Sequence, residues 1–366
     1  MTESFTLPYT LFFAGALFFS FFVNRFLLKF SGNLGIRNTN ETIIRWSSTS
    51  KPALGGISFF IIFLLSVIVI SFIIPDYNDF FNLQTLGMIL VVSIGFLMGL
   101  FDDAYNTRPW LKFFTQLLCG VLLVATGTYI DIFSSLFLNY ALTVFWVVGM
   151  MNSINMLDNM DGITSIVSLS ILLSFLLGMW LSGDGSNPLV VIILGIIAVL
   201  LAFLYFNWYP SKMYMGDTGS QFLGVLLAAL GVNSLWNGVA FGGESTALMR
   251  FLAVAIVFAL PIIDTTTVFI KRIARGQSPF VGGKDHTTHH ISYLGFSDGN
   301  VAIIFAVLSV ISVVLGLLVM NFLESWKIYY YILFGAYFVA LFAVLFTIAN
   351  LNKAKAYGND TEKINR

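Results

Sequence analysis

"LGMILVVSIGFLMGLFDDAYNTRPWLKFFTQLLCGVLLVA", Leu86–Ala125, places two apolar runs on either side of a short polar turn. The first run ends in two adjacent aspartates, Asp102 and Asp103, and the second opens with Pro109 and Lys112. A run of about 20 apolar residues is long enough to cross the roughly 30 Å hydrocarbon layer of a membrane. A carboxylate inside that layer costs about 2.5–3.5 kcal/mol even on the lenient insertion scale, so the aspartate pair belongs at a membrane boundary with partners that compensate its charge.

The rest of the chain repeats this pattern. Of 366 residues, 58% are hydrophobic and 10% charged, and the mean hydropathy is +0.90. That composition excludes an ordinary soluble globular protein. Eleven apolar windows are expected to span the membrane: 7–24, 56–74, 84–101, 113–129, 137–155, 163–181, 188–206, 219–236, 248–269, 300–320 and 328–350. The first follows "MTESFT" and lacks a basic leader and a small-residue cleavage site, which reads as an uncleaved anchor. The expected fold is an all-α integral membrane protein: one polytopic catalytic domain over 1–350 and a polar tail over 351–366.

Orientation follows from the basic residues. When successive loops are assigned to alternate sides, all but two of the 18 lysines and arginines fall on one side, Arg250 and Lys327 being the exceptions. Lysine and arginine collect on the cytoplasmic side. The N-terminus is therefore expected outside and the C-terminus inside, as an odd number of spans requires. The single cysteine, Cys119, lies in an apolar run, so it supports neither a disulfide framework nor a thiolate metal site.

The basic side also holds the chemistry. Its loops carry "KPALGG" from Lys51, "FDD", "NMLDNMDG" with Asn155, Asp158 and Asp161, "YMGDTGS" with Asp217, and "GGKDHTTHHISYLG" with Lys284, His286, His289 and His290. Five aspartates at helix ends on one face can converge on one site. Carboxylates without thiolates select a hard cation, Mg²⁺ or Mn²⁺, over zinc. Glycines in "KPALGG" and "MGDTGS" allow a close backbone approach to phosphate, and Lys284 near Lys271, Arg272 and Arg275 suits anionic oxygen. Taken singly, Asp158, Asp217 and Ser220 could each be helix caps, and Lys271 and Arg272 topological anchors. An ion-coupled transporter would instead carry its carboxylates near the bilayer midplane on interrupted helices, whereas here the aspartates cluster at helix ends and only Asp264 of "PIIDTTTVF" lies within a span. A non-catalytic scaffold for anionic lipid leaves the clustered aspartates unexplained.

These motifs resemble the polyprenyl-phosphate N-acetylhexosamine-1-phosphate transferases, the bacterial glycosyltransferase family 4. The resemblance runs from "KPALGG" through "GLFDDAYNTRPWLKFFTQLL", "NSINMLDNMDGIT", "NWYPSKMYMGDTGSQFLG" and "PIIDTTTVFIKRIARGQSPF" to "HHISYLGFSDG". It implies a multi-pass enzyme of the bacterial inner membrane with its active site on the cytoplasmic face. The implied reaction is Mg²⁺-dependent transfer of a sugar 1-phosphate from a UDP-N-acetylhexosamine to undecaprenyl phosphate. Such transfer opens cell-envelope polysaccharide synthesis, lipopolysaccharide O-antigen included. By motif, Asp217 is implied to ligate Mg²⁺, and Asp102 and Asp103 to act on the lipid phosphate or share the metal. Lys112 would neutralise phosphate, and Asn155, Asp158 and Asp161 would line the nucleotide and metal region. His289 and His290 are implied to be catalytic, and Lys51, Arg272, Lys284 and His286 to bind substrate. No nucleic-acid partner is expected, and a homodimer is compatible with the sequence.

Two departures from the family pattern stand out. Asn159 replaces a glycine between the paired aspartates, and Thr287 occupies the first histidine position when His289 and His290 are aligned. The role of His286 is thereby left open. "HTTHHISYLG" before "FSDG" looks more like the branch that uses UDP-GlcNAc than the phospho-MurNAc-pentapeptide branch, which is the alternative. A lipid phosphate with a second pKa near 6 is already a dianion at neutral pH, so direct attack is favoured over a phosphoryl-aspartate.

Overall fold

Apolar side chains on all faces suit helices that meet lipid outside and one another inside. The computed structural model describes residues 3–31, 51–73, 80–238, 246–278, 282–322 and 326–351. Six of the basic residues used for orientation, Arg37, Arg45, Lys353, Lys355, Lys363 and Arg366, and the tail over 352–366 lie outside the described residues. The described chain is all-helical: α1 (Glu3–Phe30), α2 (Gly55–Ile73), α3 (Leu83–Tyr105), α4 (Pro109–Ala125), α5 (Leu136–Leu157), α6 (Ile163–Leu181), α7 (Leu189–Asn207), α8 (Gly216–Gly231), α9 (Ala247–Val257), α10 (Ala259–Ala274), α11 (Thr287–Tyr293), α12 (Asp298–Leu317) and α13 (Ile328–Leu351). Short π-helical segments, Val232–Trp236 and Leu318–Phe322, extend α8 and α12.

Among the described residues nine helices are long and apolar enough to cross a membrane, which makes this a multi-pass membrane protein. Two of the eleven windows differ from single full-length spans. α4 has 17 residues, short of that length, and the window 248–269 is two helices, α9 and α10, bent by 82°. The bend falls at Phe258 (φ −100°, ψ 22°), three residues before Pro261. Proline has no N–H to reach the carbonyl four residues back, and its ring clashes there, so an unbroken helix is not available; in the first turn of a new helix the missing N–H costs nothing.

α8 is the axis of the bundle, packed by α2, α3 and α5. Its small residues make this approach feasible: a Cβ on Gly224 would lie 2.6 Å from Cα of Met151 in α5, and one on Gly219 would lie 3.2 Å from Cα of Gly56 in α2. Close backbone contact through small residues is the usual way membrane helices gain packing when lipid is as apolar as leucine. α1 and α13 lie at the periphery with few of their residues buried. Arg250, an exception in the charge asymmetry, has a local structural use: it donates to the carbonyls of Trp236 (2.8 Å) and Asp131 (3.2 Å).

Candidate active site

The turn between α3 and α4 builds the first part of the site. Asn106 ends α3 in the left-handed region (φ 50°), a conformation that asparagine tolerates better than most residues, and Pro109 starts α4. Within the turn Thr107 donates its N–H (2.8 Å) and its hydroxyl (2.6 Å) to Oδ1 of Asp102. The other oxygen of Asp102 meets Nζ of Lys112 at 2.5 Å. The same ammonium lies 2.8 Å from Oδ2 of Asp217, whose Oδ1 accepts Nδ2 of Asn155 at 2.7 Å. Asn155 also donates to Ser220 Oγ at 2.8 Å. One cation is thus held between two carboxylates from α3 and α8. Asp217 remains about 29% exposed, whereas Asp102 is buried.

Asp103 points elsewhere. Its Oδ1 accepts the N–H of Asp217 (3.0 Å), and its Oδ2 accepts the N–H (2.9 Å) and hydroxyl (2.6 Å) of Thr218. It caps the first turn of α8 from across the bundle, where Met215 supplies no side-chain cap. A negative group is favoured there by the helix dipole. "KPALGG" supports the same turn from the other side: Gly55 and Gly56 donate to the carbonyls of Tyr214 and Met215, each at 3.1 Å.

A second group lies in the α5–α6 loop. Asp161 accepts the N–H and hydroxyl of Ser211, both at 2.8 Å, and Lys51 joins them at 3.0 Å from the Ser211 hydroxyl and 3.6 Å from Asp161. Asp158 is the C-cap of α5. Burial, reinforced by the negative charges of Asp217 and Asp103, pushes its carboxyl up to about 8.

The histidine segment forms a third group. Asp264, the carboxylate within an apolar window, accepts the N–H (2.8 Å) and hydroxyl (2.6 Å) of Thr287 and lies 2.8 Å from Nδ1 of His286. Arg272 grips Asp285 with Nε (3.0 Å) and Nη2 (2.6 Å), and Arg275 adds a contact at 2.8 Å. Though buried, Asp285 keeps its carboxyl well below the usual range because Arg272 and then His286 and Arg275 favour the anion. His290 Nε2 lies 2.9 Å from Nζ of Lys271, which also donates to the carbonyl of Ala349. A lysine ammonium only donates, so Nε2 is the acceptor and Nδ1 carries the ring proton. Burial, then Lys271, lowers His290 to about 4, and burial holds His289 well below its ordinary value.

Of the residues singled out in the sequence, Asp102, Lys112, Asn155 and Asp217 meet directly, and Lys51 meets Asp161. Arg272 and His290 are taken up by contacts inside the protein, and the backbone carbonyl of Lys284 accepts Tyr293 OH at 3.1 Å. The sequence reading missed Thr107, Ser211, Asp285, Thr288 and the buried amides Gln116 and Gln221, 3.2 Å apart below Lys112 and Asp217. Among the described residues no three His, Cys, Asp or Glu side chains form a ready-made metal cage. The donor set fits Mg²⁺ nonetheless: Asp217, Asp102 and Asp158 offer hard oxygens, the negative charges of Asp217 and Asp103 that raise Asp158 also favour a cation beside it, and Mg²⁺ takes one or two carboxylates plus substrate phosphates.

Residues 85–235 match the family described as Glycosyl transferase family 4. Over 255 residues, 67% of each chain, the protein is 34% identical to a probable undecaprenyl-phosphate N-acetylglucosaminyl 1-phosphate transferase of Bacillus subtilis. The chain belongs to glycosyl transferase family 4. Other members it resembles are a decaprenyl-phosphate N-acetylglucosaminephosphotransferase of Mycolicibacterium smegmatis (28% identity over 67% of this chain and 66% of that one) and a phospho-N-acetylmuramoyl-pentapeptide-transferase of Streptococcus pneumoniae (32% over 56% and 67%). The family 4 match runs from α3 to the end of α8, so it contains the Asp102–Lys112–Asp217 group, and the histidine segment lies beyond it.

Proposed function

We propose that this protein transfers N-acetylhexosamine 1-phosphate, GlcNAc 1-phosphate in the favoured reading, from its UDP derivative to a polyprenyl phosphate such as undecaprenyl phosphate. The products are a lipid-linked sugar pyrophosphate and UMP. The observation that carries the reading is Lys112 between Asp102 and Asp217 at helix ends, in a chain of family 4. The proposed topology is eleven passes, counting α4 and the bent α9–α10 pair, with the site on the cytoplasmic face. The excess of lysine and arginine on that side supports it.

Both substrates are anions, and bringing them together needs fixed positive charge where charge develops. A phosphate oxygen of the lipid attacks the phosphorus that bears the sugar, the P–O bond to UMP breaks, and UMP leaves with the electron pair. Lys112 is placed to steer the incoming phosphate. Asp102, fixed by Thr107, orients Lys112 and takes a residual proton when the phosphate arrives as the monoanion. Asp103, with both oxygens on the first turn of α8, sets the position of Asp217. Mg²⁺, held by Asp217 with Asp102 or Asp158, would neutralise pyrophosphate charge when bound. One phosphoanhydride is exchanged for another, so no ATP is required. The test is to offer each UDP-sugar to the purified protein with undecaprenyl phosphate and Mg²⁺ and to measure UMP. Release with UDP-GlcNAc supports the reading. Release only with the MurNAc-pentapeptide donor moves the protein to that branch, and none with any donor refutes the activity.

A further inference from the structure

Two threonines separate His286 from His289, and each spends its hydroxyl on a different part of the protein. Thr287 bonds Asp264 in α10. Thr288, fully buried, donates to Oδ1 of Asn159 at 2.6 Å, across 129 residues of sequence. Asn159 is itself fixed, its Nδ2 donating to the carbonyl of Met156 in the last turn of α5 at 2.8 Å. His289, the next residue along α11, lies against the backbone of Asn159. A single side chain between Asp158 and Asp161 therefore sets the separation of the carboxylate loop from the histidine segment.

We propose that Asn159 and Thr288 form a clasp that positions the histidine segment for the sugar-nucleotide donor; this rests on the transferase reading. The donor is assigned to this side by the surroundings of Lys112 on the one hand and of the clasp on the other. The Lys112 side is flanked by exposed Trp110 and Phe114 on α4, which suits a membrane-borne acceptor. The clasp joins two segments that lie outside every apolar span, 158–162 and 282–296, where a water-soluble pyrophosphate arrives. Neither residue touches a reacting atom; both act through His286, His289 and the neighbouring aspartates.

The experiment compares Thr288→Val, Thr288→Ser and Asn159→Ala in purified protein, by steady-state kinetics in both substrates and by hydrogen–deuterium exchange over 286–293. Thr288→Val should raise KM for the donor about tenfold, the scale of one lost buried hydrogen bond. KM for the lipid acceptor should stay within about twofold, and Thr288→Ser should restore the donor value. Asn159→Ala should reproduce the valine effect, and the double variant Asn159→Ala/Thr288→Val should be no worse than either alone, because the two residues share one bond. Exchange over 286–293 should quicken in Thr288→Val and Asn159→Ala and return to the parent rate in Thr288→Ser. An unchanged donor KM in Thr288→Val, or equal shifts for both substrates, overturns the proposal. Should the parent protein turn over no UDP-sugar, the transferase reading fails while exchange still tests the clasp, and unchanged exchange in both variants overturns it.

Discussion

Gly99→Ala is the most discriminating perturbation, because it introduces one methyl group and removes no charge. Gly99 lies on the face of α3 that abuts the first turn of α8, and its neighbour there is the backbone that carries Asp217. A Cβ would lie 2.5 Å from the carbonyl carbon of Asp217, still nearer its oxygen, and 2.6 Å from Cα of Thr218; ordinary contact begins at 3.4 Å, so clearing the carbon alone takes 0.9 Å and α8 would retreat by at least that much. Backbone cannot rotate out of the way as a side chain can. That retreat stretches the 3.0 Å bond from the Asp217 N–H to Asp103 and draws Asp217 from Lys112. Alanine gains about 0.8–1.0 kcal/mol over glycine as a helix former, and overpacking costs about 1–3 kcal/mol, so stability should fall modestly. Activity should fall further, since about 1 Å of misplacement at a reacting centre costs roughly 10²-fold. The assay is kcat for UMP release in detergent, alongside the thermal midpoint. Gly149→Ala is the control, because a Cβ there meets nothing within 4 Å. A Gly99→Ala protein with kcat within about threefold of the parent would refute the argument that the α3–α8 approach sets the site.

Asp217→Asn should leave the fold and insertion intact while lowering kcat/KM on the order of 10²–10³-fold, the usual loss when one charge-stabilising group is removed. Undiminished turnover would take Asp217 out of the site. His290 has a folded pKa of about 4 against 6.5 for the free side chain, so the unfolded chain binds the extra proton. Its contribution to stability is therefore present above about 6.5 and lost as pH falls towards about 4. The thermal midpoint should drop over that window, and His290→Asn should flatten the drop; equal slopes in both proteins would exclude His290 as the cause. For topology, cysteines at Ser278 and at Ser182, each in a Cys119→Ala background, should label from opposite sides of sealed vesicles, Ser278 from the cytoplasmic side. Labelling of both from one side would overturn the eleven-pass arrangement.

The sequence pattern reveals much of the fold because hydrophobic length is a strong signal: each of the eleven apolar windows overlaps helix, although 113–129 outruns α4, which ends at Ala125. Composition alone hid the break at Phe258, since residues 248–269 remain apolar on both sides of a bend that Pro261 permits. The Asp102–Lys112–Asp217 group was foreseeable because adjacent carboxylates at a membrane boundary demand a partner. Different roles for Asp102 and Asp103 were not foreseeable, as neighbours on a helix point about 100° apart and only the position of α8 decides which one it receives. The partners Thr288 for Asn159 and Ser211 for Asp161 had no legible trace. A bond from a hydroxyl to a distant side chain leaves neither periodicity nor charge pattern behind.

The contact of Lys271 with the last turn of α13 bears on how this protein is tagged and trimmed for purification. That ammonium rests between His290 and the carbonyl of Ala349, so α13 acts as a backstop for the histidine segment. Shortening the chain into residue 349 would withdraw an acceptor that holds a buried cation, and the loss would be felt across α11 by the segment that faces Asn159. An affinity tag attached beyond Leu351 leaves that carbonyl in place. α13, though peripheral and little buried, is for this reason a poor site for truncation and a sound one for extension.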